Sequence, residues 1–353
     1  MNDLDMKKYI VSADLSIRDA LKHLDKNGEG ILVIYKNDKV YGIVTDGDIR
    51  RAILADIDLT EEIIAITNTE FIFISRETDN NEIKDKFKNT IARQLPVIED
   101  GQLIDIVLEE KYFLKQEGIK SRIILPSIPV VVMAGGKGTR LDPFTRVLPK
   151  PLIPIGNDPI IKHIMDRFAQ FGLKEFYVAI NEKGRMIKAY FYDNDLDYRI
   201  SYIEEKTPLG TAGALKYLRG KIQNPFFVTN CDIIIKSDYS SILEFHKVNN
   251  YAITIVGSMH HHSIPYGVCK IKNGGDLLEI EEKPSYDILI NTGFYVIDPI
   301  VLKYIPANSY FDMTDLINIV KSDNLSVGVY PISQKSWIDI GQWSEYHEAV
   351  KSL

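Results

Sequence analysis

The chain has 353 residues, of which 45% are hydrophobic and 26% are charged, and its formal net charge is −7. This length and apolar content suit a soluble protein of two domains with large buried cores. The negative charge argues against a general nucleic-acid or anionic-membrane surface. Two cysteines, Cys231 and Cys269, do not support a disulfide framework. Neither a signal peptide nor an apolar run of about 20 residues is apparent, so we expect a cytoplasmic protein that binds no membrane.

Residues 1–120 contain two weakly similar units. In the first, SIRDALKHLDKNG predicts a helix that Ser16 can cap and that ends near Gly28. The run GILVIYKNDKVYGIV predicts two strands joined by the turn KND, and GDIRRAIL predicts a second helix. A second copy, NEIKDKFKN followed by QLPVIEDGQLIDIV, aligns with the first at an offset of 63, so that Ile34 falls on Val97. Two such units predict a pseudo-symmetric pair in which each buries the open face of the other.

This N-terminal third of the chain resembles a tandem pair of cystathionine-β-synthase (CBS) domains through the run GIVTDGDIRRAI. The resemblance implies that Thr45 and Asp48 hold the ribose of an adenine nucleotide. Leu108 and Lys111 take their places in the second copy, and a leucine side chain cannot form hydrogen bonds, so we expect the second ribose site to be lost. Alternatively, Thr45 and Asp48 only cap the following helix, and the pair serves packing or oligomerisation.

Pro126 and Pro129 bracket a short link, predicted at 121–128. Strands and helices then alternate over residues 129–353, which predicts a mainly parallel sheet with helices on both faces. The predicted strands include FYVAI, RISYI, FFVTN and YAITIVG. The segment PIIKHIMDRFAQFG predicts a helix with Pro159 at its start and Gly172 past its end.

The loop MAGGKGTR, residues 133–140, follows the apolar run IPVVV. Its glycine spacing fits neither the Walker A pattern nor the dinucleotide pattern G-x-G-x-x-G. Between Met133 and Pro154, four basic residues and one acidic residue lie among prolines that restrict the backbone. Glycine amides and preset cations predict a polyphosphate site, and the alternative is a solvated surface loop.

The longer run MAGGKGTRLDPFTRVLPKPLIPI resembles the signature of the sugar-1-phosphate nucleotidyltransferases, G-x-G-T-R followed by P-K-P. Further blocks follow in the order of that family, so the resemblance extends over residues 129–353: EEKTPLGTAGAL, VTNCDIII, EKP, NTGFYV and WIDIGQWSEY. The resemblance implies an α/β fold with a Rossmann-like, mixed, mainly parallel sheet, preceded here by the smaller α+β CBS pair. It also implies attack by a sugar 1-phosphate on the α-phosphate of a nucleoside triphosphate, with release of pyrophosphate. Because two polyanions must meet, positioning and cationic stabilisation would carry the catalysis.

The family motifs imply a role for each matching residue. Arg140 would hold the β- and γ-phosphates, Lys150 would lie near the α-phosphate, and Lys283 would hold the sugar phosphate. Exposed ion pairs are the alternative for all three. Asp232, after the strand FFVTN, and Asp339, in WIDIG, would bind Mg²⁺. Asp339 could instead cap a helix.

The remaining candidates line the two substrates. Residues expected at the nucleotide are Gly135, Gly136, Lys137, Gly138, Thr139, Gly210 and Thr211. Residues expected at the sugar are Gly267, Glu282, Asn291 and Thr292, with strand-end hydrogen bonding as the alternative. Cys231 is predicted to be a buried strand-end residue. The three histidines at 260–262 are predicted to lie in a loop and to be a poor metal chelate, since consecutive strand residues point to opposite faces.

A CBS pair fused to such a domain is similar to the CBS-containing guanylyltransferases of bacterial surface-sugar synthesis, which include glucosamine-1-phosphate guanylyltransferases of the legionaminic acid pathway. We therefore expect GTP and glucosamine 1-phosphate as substrates, Mg²⁺ as cofactor and a homo-oligomer. None of the residues identified so far separates guanine from thymine, uracil or cytosine. The alternatives are a mannose-1-phosphate guanylyltransferase and a catalytically silent subunit that senses adenine nucleotide. The presence of Arg140, Lys150 and Asp232 argues against the silent subunit.

Overall fold

The chain divides into two compact units, Met1–Ile123 and Ile124–Leu353. No helix among the described residues is long and apolar enough to cross a membrane. The computed structural model describes residues 6–90, 92–109, 112, 125, 128–136, 138, 141–181, 183–194, 196–307, 309–341 and 345–346.

The first helix of the first unit forms as its sequence predicts. The Ser16 hydroxyl accepts a hydrogen bond from the Asp19 N–H at 3.1 Å, and Gly28 ends the helix at a φ of 68°. The buried face carries apolar residues at helical spacing, Ile17, Ala20, Leu21 and Leu24. The helices of this unit are α1 (Ile17–Asn27), α2 (Asp46–Leu54) and α3 (Asn80–Asn89), and its strands are β1 (Ile10–Ser12), β2 (Ile31–Lys36), β3 (Lys39–Thr45), β4 (Gln94–Glu99) and β5 (Gln102–Leu108).

The internal repeat is present in the fold. The hairpin β4–β5 follows the hairpin β2–β3 at the same offset of 63 residues at every strand end. Both hairpins are antiparallel, and each has an irregularity at the equivalent place, between Ile34 and Tyr35 and between Val97 and Ile98. Leu103 and Ile106 of the second copy pack into the cluster that also holds Ile31 of the first. The two copies therefore share part of their core, as the repeat predicts.

The second unit is built on a seven-stranded sheet. Its strands, in spatial order, are β10 (Arg199–Glu204), β9 (Glu175–Ile180), β6 (Val130–Met133), β11 (Phe226–Asn230), β16 (Ser285–Ile297), β13 (Ile253–Ser263) and β17 (Val327–Ser333). Its neighbouring strands are parallel except where β16 pairs antiparallel with β11 and β13. Phe168 centres the core, and its ring stacks on that of Phe294 at 5.6 Å. The predicted class, a mixed and mainly parallel α/β sheet, is confirmed.

The elements of the second unit flank this sheet or extend it. The longer helices are α5 (Ile160–Ala169), α6 (Gly184–Asp193), α8 (Tyr239–Val248) and α9 (Met313–Ser322), and the short ones are α4 (Phe144–Val147) and α7 (Gly210–Gly213). Three two-stranded pairs complete the unit: β7 (Pro154–Ile155) with β8 (Asp158–Pro159), β12 (Ile233–Ile235) with β18 (Trp337–Asp339), and β14 (Val268–Ile271) with β15 (Leu277–Glu281).

Two segments differ from expectation. The three histidines at 260–262 were predicted to lie in a loop, which is wrong, because β13 continues through them to Ser263 paired with β16. His260 and His262 share one face with ring centroids 6.1 Å apart, while Nδ1 of His261 lies 2.8 Å from Oδ1 of Asp287. In the segment predicted as a link, Leu125 and Ile128 are buried in the core of the second unit.

Candidate active site

The register of the sheet brings two of the predicted loops to one edge. β6 and β11 are parallel, with Met133 opposite Asn230. The residues after β6, Ala134 to Gly136, therefore leave the sheet beside Asp232, which follows β11. Ligands of open α/β sheets bind at this carboxyl edge. The candidate active site therefore lies at the carboxyl edge of β6 and β11.

Lys150 and Asp232 form a buried ion pair across 82 residues of sequence. Lys150 opens a short 3₁₀ turn after Pro149, and only 8% of its side chain and 15% of that of Asp232 are exposed. Gly138 packs against the stem of Lys150 at a φ of 67°, where a Cβ would lie 3.1 Å from that of Lys150. A larger residue there would displace the lysine. The glycine-rich loop thus helps to fix a cation at the edge of the sheet.

Asp339 reaches the same place through the β12–β18 pair. Ile233 lies opposite Asp339, and the Ile340 N–H donates to the carbonyl of Asp232 at 2.7 Å. Oδ1 of Asp339 also accepts a hydrogen bond from Gly341 N at 2.7 Å, which is a capping type of contact. Two carboxylates on adjacent backbones are hard oxygen donors of the kind that Mg²⁺ uses beside phosphates. The residues present therefore fit the ion, although no group of three or more His, Cys, Asp or Glu gathers around a metal position among the described residues.

The predicted sugar residues lie on β16 and near it. Gly293 packs so closely on Asn230 that a Cβ would lie 2.3 Å from the amide nitrogen, which sets Asn291 and Thr292 beside the end of β11. Thr292 is buried and its hydroxyl donates to the Val256 carbonyl at 2.8 Å, while the Asn291 amide donates to the Tyr295 hydroxyl at 2.9 Å. Both side chains thus make the strand-end bonds that the alternative interpretation describes.

Three further sugar-side candidates lie where the chain enters β16 and the hairpin before it. Gly267 touches the carboxylate of Glu282, since a Cβ on Gly267 would lie 3.0 Å from Oε2. Lys283 is exposed and has a φ of 48°, an uncommon conformation for a lysine.

On the other side of β6, the glycine-rich loop covers a buried carboxylate that was not among the predicted residues. A Cβ on Gly135 would lie 3.0 Å from Oε1 of Glu205, and the Gly135 carbonyl accepts a bond from the Asn181 amide at 2.5 Å. Oε2 of Glu205 accepts a bond from the Leu209 N–H at 3.1 Å. Burial raises the pKa of the Glu205 carboxyl, and the Leu209 hydrogen bond only partly opposes that rise. Glu205 forms no ion pair with any described residue.

Gly210 and Thr211 follow Glu205 and are bonded to a distant segment. The N–H and the hydroxyl of Thr211 lie 2.9 and 3.1 Å from Oδ1 of Asp312. Asp312 was not among the predicted residues either. The polar groups of the Thr211 side chain are therefore engaged within the protein.

Of the remaining predicted residues, two can be located in the structure and three lie outside the described residues. Gly136 faces open space, with no neighbouring atom within 4 Å of a Cβ built on it. Cys231 is buried as predicted, and burial raises the pKa of its thiol to about 12, which makes it a poor nucleophile. Lys137, Thr139 and Arg140 lie outside the described residues.

In the first unit, Thr45 and Asp48 contact each other at the start of α2. Oδ2 of Asp48 accepts bonds from the Thr45 N–H at 2.8 Å and from its hydroxyl at 2.6 Å. Arg51 pairs with the other oxygen of Asp48 at 2.5 Å. This is the capping arrangement that was the alternative to ribose binding. Lys111 of the second copy lies outside the described residues.

Comparison with known proteins gives a family match in each of the two units. Residues 129–353 match the family model for nucleotidyl transferases, and residues 2–55 match the CBS domain model. A probable mannose-1-phosphate guanylyltransferase 1 of Oryza sativa subsp. japonica is 31% identical over 226 residues, which are 61% of this chain and 62% of the relative. A UTP–glucose-1-phosphate uridylyltransferase of Synechocystis is 30% identical over 248 residues, 63% of this chain and 62% of the relative. The chain thus spans 62% of the length of each of these curated relatives.

The fold has solved counterparts. The crystal structure of HddC from Yersinia pseudotuberculosis superposes with a TM-score of 0.51 at 24% identity, over 64% of this chain and 99% of that one. Because the family model covers residues 129–353, the chain belongs to the nucleotidyl transferase family.

Proposed function

We propose that the second unit transfers a guanylyl group from GTP to a sugar 1-phosphate. An oxygen of the sugar phosphate attacks the α-phosphorus, the bond from that phosphorus to the oxygen bridging to the β-phosphate breaks, and pyrophosphate leaves. The product is a GDP-sugar. The family and the placement of Lys150, Asp232 and Gly135 at one sheet edge support this reaction class.

The residues take complementary parts in this proposal. The buried Lys150 cation would lie near the α-phosphate, where charge grows in the transition state. Arg140, Lys137 and Thr139 would hold the triphosphate from the glycine-rich loop, and Lys283 would hold the sugar phosphate. Asp232 and Asp339 would bind Mg²⁺, which neutralises phosphate charge when bound.

Glu205 is the observation that favours guanine. An ionised carboxylate only accepts hydrogen bonds, and it can accept two side by side. Guanine presents two adjacent donors, N1–H and the 2-amino group, whereas uracil and thymine present one donor between two carbonyl oxygens. Keeping a carboxylate buried without a cation is costly unless a donor partner satisfies it. A guanine beneath Gly135 would be that partner.

Two sugar phosphates are candidate substrates. The fusion to a CBS unit favours glucosamine 1-phosphate and a role in bacterial surface glycan or legionaminic acid synthesis. The mannose-1-phosphate guanylyltransferase among the relatives favours mannose 1-phosphate.

A substrate matrix tests the proposal. GTP, UTP, dTTP, CTP and ATP are each combined with glucosamine 1-phosphate, mannose 1-phosphate and glucose 1-phosphate, with pyrophosphate release and product mass as readouts. We expect GTP to be preferred. Glu205→Gln should lower kcat/KM for GTP by about 10- to 100-fold, since hydrogen bonds to a charged group are lost.

Glu204→Gln is the matched control. Glu204 is the neighbour of Glu205 in the chain, but its carboxylate is exposed and pairs with Lys188 on the surface. This substitution should leave kcat/KM within about two-fold. A wild-type preference for UTP or dTTP, or equal effects of the two substitutions, would contradict the guanine assignment.

A further inference from the structure

The short helix α7 and the start of α9 are joined by a continuous set of backbone bonds. The Phe311 N–H donates to the Leu209 carbonyl at 2.9 Å. The Phe311 carbonyl then accepts from the N–H groups of Ala212 and Gly213 at 3.0 and 3.1 Å. Residues 209–213 are therefore held by a segment about 100 residues further along the chain.

Asp312 adds side-chain bonds to this junction. Its Oδ1 accepts from the N–H and the hydroxyl of Thr211, and the Thr211 hydroxyl in turn accepts from the Met313 N–H at 2.8 Å. Asp312 is also the N-cap residue of α9. One carboxylate thus joins α7 to α9.

Gly210 makes the close approach possible. Its φ is 79°, and a Cβ there would lie 2.7 Å from the Phe311 carbonyl oxygen and 2.8 Å from Oδ1 of Asp312. Any other residue would push the two segments apart or strain the backbone. The glycine is therefore required by the junction whether or not a ligand touches it.

The junction also holds the base-reading carboxylate. Leu209, whose carbonyl accepts from Phe311, donates through its own N–H to Oε2 of Glu205. That is the hydrogen bond by which the protein orients Glu205. A shift of residues 209–213 away from α9 would therefore move or release the Glu205 carboxylate.

We propose that Asp312 is a positioning residue for the base subsite, acting on the nucleotide through Thr211, Leu209 and Glu205 without touching it. Thr211 takes a positioning role as well, since its side chain is bonded to Asp312 and Met313. The inference rests on the proposed function only in taking Glu205 to face the nucleotide base.

Asp312→Asn and Asp315→Asn form a matched pair at the start of one helix. Oδ2 of Asp315 accepts from the Asp312 N–H at 3.1 Å, so both substitutions weaken the cap of α9, but only the first alters the contact with Thr211. We expect Asp312→Asn to raise KM for the nucleotide about five- to 20-fold and to leave KM for the sugar phosphate within about two-fold, given the loss of a charged acceptor. Asp315→Asn should change neither KM by more than about two-fold.

Thr211→Val and Thr211→Ser keep the test valid if Asp312→Asn fails to fold. Valine removes the hydroxyl at nearly constant shape and should reproduce the rise in nucleotide KM, whereas serine keeps the hydroxyl and should restore it. Calorimetric titration of nucleotide alone supplies the same comparison without turnover. If thermal stability falls while nucleotide affinity stays unchanged in both Asp312→Asn and Thr211→Val, the junction is merely structural and the proposal is wrong.

The measurements use whichever nucleotide the wild-type chain prefers. A preference for UTP would overturn the guanine assignment and still allow Asp312 to act as proposed. A GTP preference with unchanged KM in Asp312→Asn would overturn the positioning role alone.

Discussion

At the scale of residues, the pairing of Lys150 with Asp232 changes how both are understood. The sequence predicts a phosphate-binding cation and a metal-binding carboxylate as separate groups. The structure makes them partners, with little exposure for either side chain. Separating a buried ion pair would leave each charge buried without a partner, which costs free energy. The pairing therefore holds both groups in one place. A phosphate that binds at the carboxyl edge of the sheet would therefore find the Lys150 ammonium already in position.

Asp232→Asn tests the proposed roles at this scale. Asparagine keeps the shape and an acceptor for Lys150, so the chain should remain folded. It removes the negative charge that Mg²⁺ needs, and pyrophosphate release should fall at least about 100-fold, as for other groups that stabilise transition-state charge. Circular dichroism and pyrophosphate release over a range of Mg²⁺ concentrations are the measurements.

The matched control is Asp142→Asn. Asp142 pairs with Arg146 in the same proline-rich segment, but 74% of the Arg146 side chain is exposed. An exposed pair contributes little, so activity should stay within about two-fold. Unchanged turnover in Asp232→Asn would remove Asp232 from the metal site.

Glu205 and Asp312 show what residue-level sequence reasoning misses. Glu204 and Glu205 are adjacent and chemically identical, and nothing in their spacing says which one is buried. Asp312 contacts Thr211 across 101 residues, a separation at which no local pattern carries information. The motif blocks identify the loops of the site, but the contacts between loops need the fold.

At the scale of elements, periodic apolar segments are the predictable part. The first helix, both hairpins of the first unit and the strands FYVAI, RISYI and FFVTN lie where hydrophobic spacing and turn residues place them. The ribbon formed by the outer parts of β13 and β16 is less visible. On the β13 side its residues are three histidines and Ser263, which lack the apolar alternation that identifies a strand. The histidine run was misjudged for this reason.

A buried histidine couples one helix to the sheet and makes the second unit sensitive to acid. Nδ1 of His246 on α8 lies 2.9 Å from the Thr254 hydroxyl on β13. Burial lowers the pKa of His246 to about 4. The unfolded chain binds this proton more readily, near its ordinary pKa of 6.5, so stability is lost as the pH falls from about 6.5 towards 4.

We expect the free energy of unfolding to fall by about 2 kcal/mol between pH 7.5 and 5.0 from this group. Urea unfolding followed by tryptophan fluorescence measures it, because both tryptophans, Trp337 and Trp343, belong to the second unit. His246→Gln should remove most of this loss, and His262→Gln, an exposed histidine, should not. Equal losses in all three chains would exclude His246 as the cause.

At the scale of the whole molecule, the two units pose separate questions. The second unit carries the proposed reaction, and the first carries Thr45 and Asp48, which the CBS resemblance implies for a ribose. In the structure, Thr45 and Asp48 bond to each other, so a nucleotide would have to exchange those bonds for its own. Leu108 offers no such group in the second copy.

We expect the full chain to bind one adenine nucleotide per chain through Thr45 and Asp48. Calorimetric titration with AMP and ATP measures the stoichiometry. Thr45→Val should abolish the binding, and Thr60→Val, which removes a hydroxyl from an exposed turn of the same unit, should not. Absence of heat with wild-type chain at millimolar AMP would leave Thr45 and Asp48 as a helix cap.

The contacts across the site also set an order of events during synthesis. The core of the first unit closes within residues 1–123, so it can form while the rest of the chain is still being translated. In the second unit, the hydrogen bond between Thr211 and Asp312 cannot form until Asp312 has been synthesised. Likewise, the strand that follows Asp232 cannot pair until the strand that ends at Asp339 has been synthesised. The glycine-rich loop, residues 133–140, is therefore synthesised long before Asp312 and Asp339. A nascent chain stopped well past residue 123 but before Asp339 would have a complete first unit and would lack the pairing of Ile233 with Asp339 that places the two candidate metal ligands side by side.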